Sequence, residues 1–303
     1  MQVFTHAACL AHDTGTGHPE SAARLAAVTR ALEAAHPDLD WQQAPRATRG
    51  QLLAVHSEDL LASVLEADPE PRVWLDPDTI LSPQSAEAAL RAAGAVVAAV
   101  DAVMSNRSER AFCAVRPPGH HATATAAMGF CLFNNVAVGA RHALDKHGLE
   151  RVAVVDFDVH HGNGTQAIFA DEPRVLFAGS HQFPLYPGSG AAHERGCGNI
   201  LNVPLQAGTG SEAFRSAWRE RVLPRVEAFR PQLLLVSAGF DGHRRDPLAQ
   251  LELDTEDYAW VTRELVRIAR NACDGRVVST LEGGYDLQAL AESTVAHVDA
   301  LCF

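Results

Sequence analysis

The sequence predicts an α/β fold: one doubly wound domain spanning residues 1–303, its mostly parallel sheet covered by helices on both faces. Three observations carry this expectation. Short β-branched runs alternate with longer segments of helical periodicity, the arrangement of successive βαβ units. One run, Arg151-Val-Ala-Val-Val-Asp-Phe-Asp, is apolar almost to its end, as a central strand buried on both faces should be. Finally, 303 residues with 47% apolar and 20% charged side chains can bury a sizeable core. No repeat, low-complexity segment or Ser/Gly linker divides the chain.

The elements follow in order. Ser85–Met104 has helical periodicity; its stretch Ala86–Met104 is the most apolar in the chain, yet Glu87, Arg91 and Asp101 interrupt it. It therefore reads as a buried, Ala-rich helix and not as a membrane span. Ala111–Val115 is the first strand of the β-branched series, followed by a helix over Asn135–Lys146 and the central strand Arg151–Phe157. Val175–Ala178 is the next strand, Ser211–Phe229 the next helix. Strand Leu233–Val236, helix Thr255–Ala272 and strand Val277–Leu281 complete the series.

Charge excludes one class of function. Against 37 Asp+Glu there are 25 Lys+Arg, a net charge of −12, and no clustered basic face that would mark a nucleic-acid footprint. The six cysteines (Cys9, Cys113, Cys131, Cys197, Cys273 and Cys302) contain no Cys-x-x-Cys pair and read as buried free thiols in a reducing compartment. Met1–Leu10 has neither the basic nor the apolar region of a secretory signal. A cytoplasmic protein is expected.

In doubly wound sheets, functional groups collect beyond the carboxyl ends of the strands. Four strands here end in polar, Gly-containing strings. They are Arg116-Pro-Pro-Gly-His-His-Ala, Asp156-Phe-Asp-Val-His-His-Gly-Asn-Gly, Ser237-Ala-Gly-Phe-Asp-Gly-His and Glu282-Gly-Gly-Tyr-Asp. In the second string Asp156, Asp158 and His160 are spaced two apart and point to one side. Asp158 and His160 offer a carboxylate oxygen and an imidazole nitrogen to one ion, and Asp241 could close the set. Two carboxylates and one imidazole leave coordination positions open, the mark of a catalytic zinc site. The competing reading makes Asp156 and Asp158 caps of the following turn and His160 a hydrogen-bonded core residue. Cys pairs for a zinc finger are absent, and the His120-His121 pair has its own expected partners, so a single divalent ion is favoured.

Adjacent His120 and His121 should titrate as a coupled pair. A partner on the ring nitrogen facing away from substrate would fix each tautomer. Asp156 is the expected partner of His120, and Asn163, a neutral acceptor, that of His121. Tyr285, after Gly283-Gly284, could donate its hydroxyl to an oxygen that becomes negative in a tetrahedral intermediate.

These strings together resemble the zinc-dependent histone deacetylase family, with class II and bacterial character. The likeness runs from Thr16-Gly-His-Pro-Glu-Ser to Leu281-Glu-Gly-Gly-Tyr-Asp-Leu, and Gly129-Phe-Cys-Leu-Phe-Asn-Asn falls in the family's order. Asn163 and His18-Pro19-Glu20 carry the class II character. The resemblance implies the arginase–deacetylase fold with an eight-stranded parallel sheet, and hydrolysis of acetylated amines. It implies Zn2+ on Asp158, His160 and Asp241, His121 as general base and acid, His120 as its electrostatic neighbour and Tyr285 as carbonyl polariser. An acyl-lysine channel would be lined by Gly129, Phe130, Tyr186 and Leu248. The expected substrate is an acetylated lysine peptide or protein.

Two positions depart from the family pattern. Gly179 stands where many members place a Ser that helps hold a buried K+ near Asp156, leaving Asp156, Asp158 and His160 to contribute. Leu248 stands where polyamine-specific relatives place an acidic residue, which argues against a strict polyamine preference. The rival expectations are an acetylpolyamine deacetylase and a catalytically silent, zinc-bearing acyl-lysine binding module. Among other histidines, His6, His12, His36, His56, His142, His147 and His297 show no partner pattern and read as surface or capping groups. His181 and His193 border the rim segment Ser180–Gly196, where they could touch substrate, and His243 reads as structural.

Overall fold

The computed structural model describes residues 1–302. In chain order the strands are β1 (Gln2–Thr5), β2 (Asp40–Gln43), β3 (Val73–Trp74), β4 (Ile80–Leu81), β5 (Arg110–Cys113), β6 (Val152–Asp156), β7 (Val175–Gln182), β8 (Ile200–Leu205), β9 (Leu233–Ala238) and β10 (Val277–Leu281). The helices are α1 (Ala8–Ala11), α2 (Ala22–Ala35), α3 (Arg49–Leu53), α4 (Glu58–Leu65), α5 (Ser85–Met104), α6 (Asn135–His147), α7 (Asn163–Phe169), α8 (Ser211–Ala217), α9 (Leu223–Phe229), α10 (Thr255–Cys273) and α11 (Leu287–Cys302). Among the described residues, no helix is long and apolar enough to cross a membrane.

Eight strands form one sheet in the order β2-β1-β5-β10-β9-β6-β7-β8, every neighbouring pair parallel, as the family resemblance implied. The short pair β3–β4 stands apart as an antiparallel hairpin. Helices α5 and α6 pack on one face, and α2, α11, α10 and α9 on the other. Every side chain of β6, β9 and β10 is buried, which explains the apolar residues that open each strand. The four strands with polar tips, β5, β10, β9 and β6, are consecutive in the sheet, so their tips open onto one crevice.

Local signals set the helix ends. Asn134 caps α6 by accepting from Ala137 N at 3.0 Å, and Gly148, at φ 64°, stops it in the left-handed region. An Asp254–Asp257 capping box opens α10. The segment Ser211–Phe229, read from the sequence as one helix, is α8 and α9 joined through a π-helical turn at Trp218–Val222. Pro224 lacks the N–H that an α-helix would give to Glu220, and the wider turn takes up the mismatch. The cysteine reading needs a correction too. Cys9, Cys113, Cys131 and Cys273 are buried, but Cys197 and Cys302 are exposed; all six are free thiols.

Candidate active site

The tip of β6 begins the site. Asp156 Oδ1 accepts from Asp158 N at 3.0 Å and Asp158 Oδ1 from His160 N at 2.8 Å, so both carboxylates do cap the turn. Each also directs its second oxygen elsewhere: Asp156 Oδ2 to His120, and Asp158 Oδ2 to Gly283 N at 2.8 Å. Capping and convergence are therefore compatible. From the tip of β9, Asp241 Oδ1 accepts from Val159 N at 2.9 Å, and its Oδ2 lies 3.1 Å from His160 Nδ1. One ligand atom from each of Asp158, His160 and Asp241 falls within 4.8 Å of the others, and all three residues are almost fully buried. Gly283 makes the approach possible, because a Cβ there would overlap both carboxylates.

The electrostatics of this cluster call for a cation. Burial alone would lower the His160 pKa, yet the hydrogen bonds and charges of Asp158 and Asp241 push it up to about 10. Two buried carboxylates thus hold a proton on the imidazole between them. A divalent ion would meet the same demand, and the oxygen-rich donor set with one imidazole is suited to Zn2+. Gly179 faces Asp156 across the β6–β7 ladder with no hydroxyl to offer, and a side chain there would run into the Asp156 carbonyl.

His120 and His121 lie beside this cluster, with ring centroids 4.0 Å apart. His120 Nδ1 is 3.0 Å from Asp156 Oδ2, and His121 Nδ1 is 2.8 Å from Asn163 Oδ1. Both rings are buried, but their titrations diverge. Burial would lower the His120 pKa; the Asp158, Asp156 and Glu282 carboxylates overcome it and hold it well above the ordinary value. For His121, burial together with the charges on His120 and His160 holds it well below. The asymmetry follows from the partners, a carboxylate for one ring and an amide for the other.

Glu282 was not singled out from the sequence. It is fully buried, and its Oε2 accepts from Gly119 N at 2.7 Å and His120 N at 3.2 Å, pinning the backbone that presents both histidines. Ser237 Oγ lies 3.0 Å from Oε1. Burial raises its pKa to about 7 despite the opposing His120 charge. Arg24, also fully buried, donates to the carbonyls of Glu282 and Gly284 and stacks over the Tyr285 ring at 4.8 Å, fixing the loop after β10. Burial, only partly opposed by Arg24, keeps the Tyr285 phenol well above its ordinary pKa.

A cavity of about 210 Å³ joins these groups, lined by His121, His160, Tyr285, Gly129, Phe130, Tyr186 and Leu248, with Leu185 and Asp78 as additions the sequence reading did not make. Asp78 is brought there by a turn in which Asp76 Oδ1 accepts from the backbone N–H groups of Asp78 and Thr79. Thr79 Oγ1 in turn accepts from Phe130 N at 3.1 Å. Gly129 and Phe130 both have positive φ, 56° and 67°. A Cβ on Gly129 would come within 2.5 Å of the His121 ring, so only glycine lets the cavity wall pass this close.

The remaining histidines require corrections. His12, His56 and His297 are buried and hydrogen-bonded to Ser85, Thr123 and Asn134, and Thr262 and Ser279 respectively, so they are core groups. His142 and His147 do have a partner, both meeting Asp101. His181 is buried against His161 and bonded to the Gly190 carbonyl, off the cavity wall, and His193 is exposed.

Residues 18–301 match the histone deacetylase domain family. The chain is 43% identical over 309 residues to an uncharacterized protein of Synechocystis sp., covering 100% of both chains. It is 42% identical over 252 residues to the histone deacetylase-like amidohydrolase of Pseudomonas aeruginosa, covering 82% of this chain and 66% of that one. The crystal structure of the HDA15 HD domain superposes with a TM-score of 0.94 at 35% identity, over 99% of this chain and 87% of the other.

Proposed function

This chain belongs to the histone deacetylase family, and on that premise we propose that it removes acetyl, or other short acyl, groups from lysine side chains with the help of one zinc ion. Asp158, His160 and Asp241 would hold the ion. Its chemistry when bound is Lewis-acid polarisation of the acyl oxygen and acidification of a water.

His121 is the proton carrier in this reading. Asn163 Oδ1 only accepts, so Nδ1 of His121 keeps its proton and Nε2 presents a lone pair on the cavity side. The depressed pKa leaves the ring neutral near pH 7, ready to take a proton from the attacking water and return it to the departing amine. His120, whose Nδ1 faces the Asp156 carboxylate at 3.0 Å, offers a positive charge beside the developing anion. Tyr285, also in the cavity lining, retains its proton and donates to the oxygen that becomes negative. Phe130, Tyr186 and Leu248 suit the neutral methylene chain of an acylated lysine. Six free cysteines support a reducing, cytoplasmic setting.

The observation that carries this proposal is the meeting of His121, His160 and Tyr285 on one narrow cavity. Zinc-loaded protein should turn over an acetyl-lysine peptide with a higher kcat/KM than N-acetylputrescine, because Leu248 offers nothing to a second ammonium. Preference for N-acetylputrescine would move the assignment to small acylated amines, a reading that the Asp78 carboxylate in the cavity wall favours. If zinc-loaded protein bound the peptide and released no acetate, the chain would be an acyl-lysine binding module.

A further inference from the structure

The groups left outside the proposed chemistry include one convergent set. Near the end of α5, Asp101 Oδ1 lies 2.8 Å from His142 Nε2 and 2.7 Å from His147 Nε2, both imidazoles coming from the last turns of α6. One ligand atom from each residue lies within 4.8 Å of the others, and the two rings meet edge to face at 5.6 Å. From these contacts we infer that Asp101, His142 and His147 form a second divalent-metal site, remote from the catalytic crevice and filled by Zn2+.

Three physical points support it. Both Nε2 atoms already meet one carboxylate oxygen, and the three residues stand on two packed helices, so little order has to be created on binding. Around a tetrahedral ion with bonds of about 2.0–2.2 Å, donor atoms sit about 3.3–3.6 Å apart. The present contacts of 2.8 and 2.7 Å therefore need to open by about 0.5–0.9 Å. Each imidazole becomes a ligand in the tautomer that carries its proton on Nδ1 and leaves Nε2 free for the ion. Two nitrogens and one oxygen leave a coordination position for water, and the site has access to it. Asp101 is 40% exposed, and His142 also lines a surface depression of about 270 Å³. The competing reading, two imidazoles hydrogen-bonded to one carboxylate at a helix C-terminus, involves no ion.

The site is well separated from the chemistry. Helix α6 starts at Asn135, whose side chain reaches the Pro117 carbonyl on the crevice side, and runs 13 residues, about 20 Å, to His147. An ion bound there staples α5 to α6 and leaves turnover untouched.

Metal stoichiometry decides between the readings. Chelator-stripped protein is dialysed against buffered Zn2+ and its metal content measured, together with that of His142→Ala, His147→Ala, His147→Gln and Asp241→Asn. Wild type should hold two equivalents and each histidine variant one, with turnover of an acetyl-lysine peptide retained. His147→Gln keeps a hydrogen-bond donor to Asp101, so its loss of the ion reports ligation and not folding. Asp241→Asn should lose the other equivalent and keep this one. A wild type with one equivalent that the histidine variants retain would overturn the inference, as would histidine variants that still hold two. A wild type with one equivalent that the histidine variants lose would support it even if the catalytic cluster held none.

Discussion

The contrast between the two histidine partners gives the sharpest prediction. Asn163→Asp replaces a neutral oxygen 2.8 Å from His121 Nδ1 with a charged one in a buried setting. Unit charges about 4 Å apart interact by about 4 kcal/mol at an effective dielectric of about 20, and burying the new carboxylate offsets part of this. The balance should raise the pKa of His121 by about one to three pH units, or about 1.4–4 kcal/mol in favour of the charged ring. Because the proposed base must be neutral, the acidic limb of the kcat/KM profile moves upward by the same interval. Activity at low pH is lost first, and the alkaline plateau changes least. The assay is turnover of an acetyl-lysine peptide by zinc-loaded protein across about pH 5–9. An acidic limb that stays in place, with fold and zinc content intact, would remove His121 from the step that controls the rate.

Other consequences follow from the same geometry. Tyr285→Phe should cut turnover at least tenfold while zinc stays bound, since one oxyanion donor is worth about 3 kcal/mol; an unchanged kcat would take the phenol out of the mechanism. Gly129→Ala places a side chain on a backbone with φ 56° and against the His121 ring. It should cost about 1–2 kcal/mol in chemical denaturation and, by displacing the imidazole, a larger loss in kcat. Fully buried Glu20 pairs with Arg116 and Arg24. Glu20→Ala should therefore lower the unfolding free energy by about 3–5 kcal/mol. Burial would raise the Glu20 pKa, but the two arginines hold it down at about 2 from an ordinary 4.5. Its stabilisation is thus fully present above about pH 4.5 and disappears as the pH falls toward 2, a window that acid titration of wild type against the variant should show.

What was legible in the sequence depended on uniform burial and local spacing. β6, β9 and β10 are buried on both faces and stood out as short runs opening on apolar residues; their polar tips then identified the crevice. The edges were silent. β2, Asp40-Trp-Gln-Gln, is half exposed, and β8 carries Pro204 on the outermost strand, where no further neighbour needs its N–H. The π-turn before Pro224 was hidden because periodicity continues through it. Asp78 reaches the cavity through a turn far from any quoted string, and Glu282 was inside one but overshadowed by Tyr285. The Asp101–His142–His147 set escaped because a spacing of five is not a regular helix-face interval and the carboxylate belongs to another helix.

The most direct measurement is product analysis with metal control. Protein reconstituted with zinc, incubated with an acetyl-lysine peptide, should release acetate and free lysine amine in equal amounts, at a rate that vanishes on chelation and returns with added zinc. Fully zinc-loaded, folded protein that releases neither product, or chelated protein that releases both undiminished, would contradict the account.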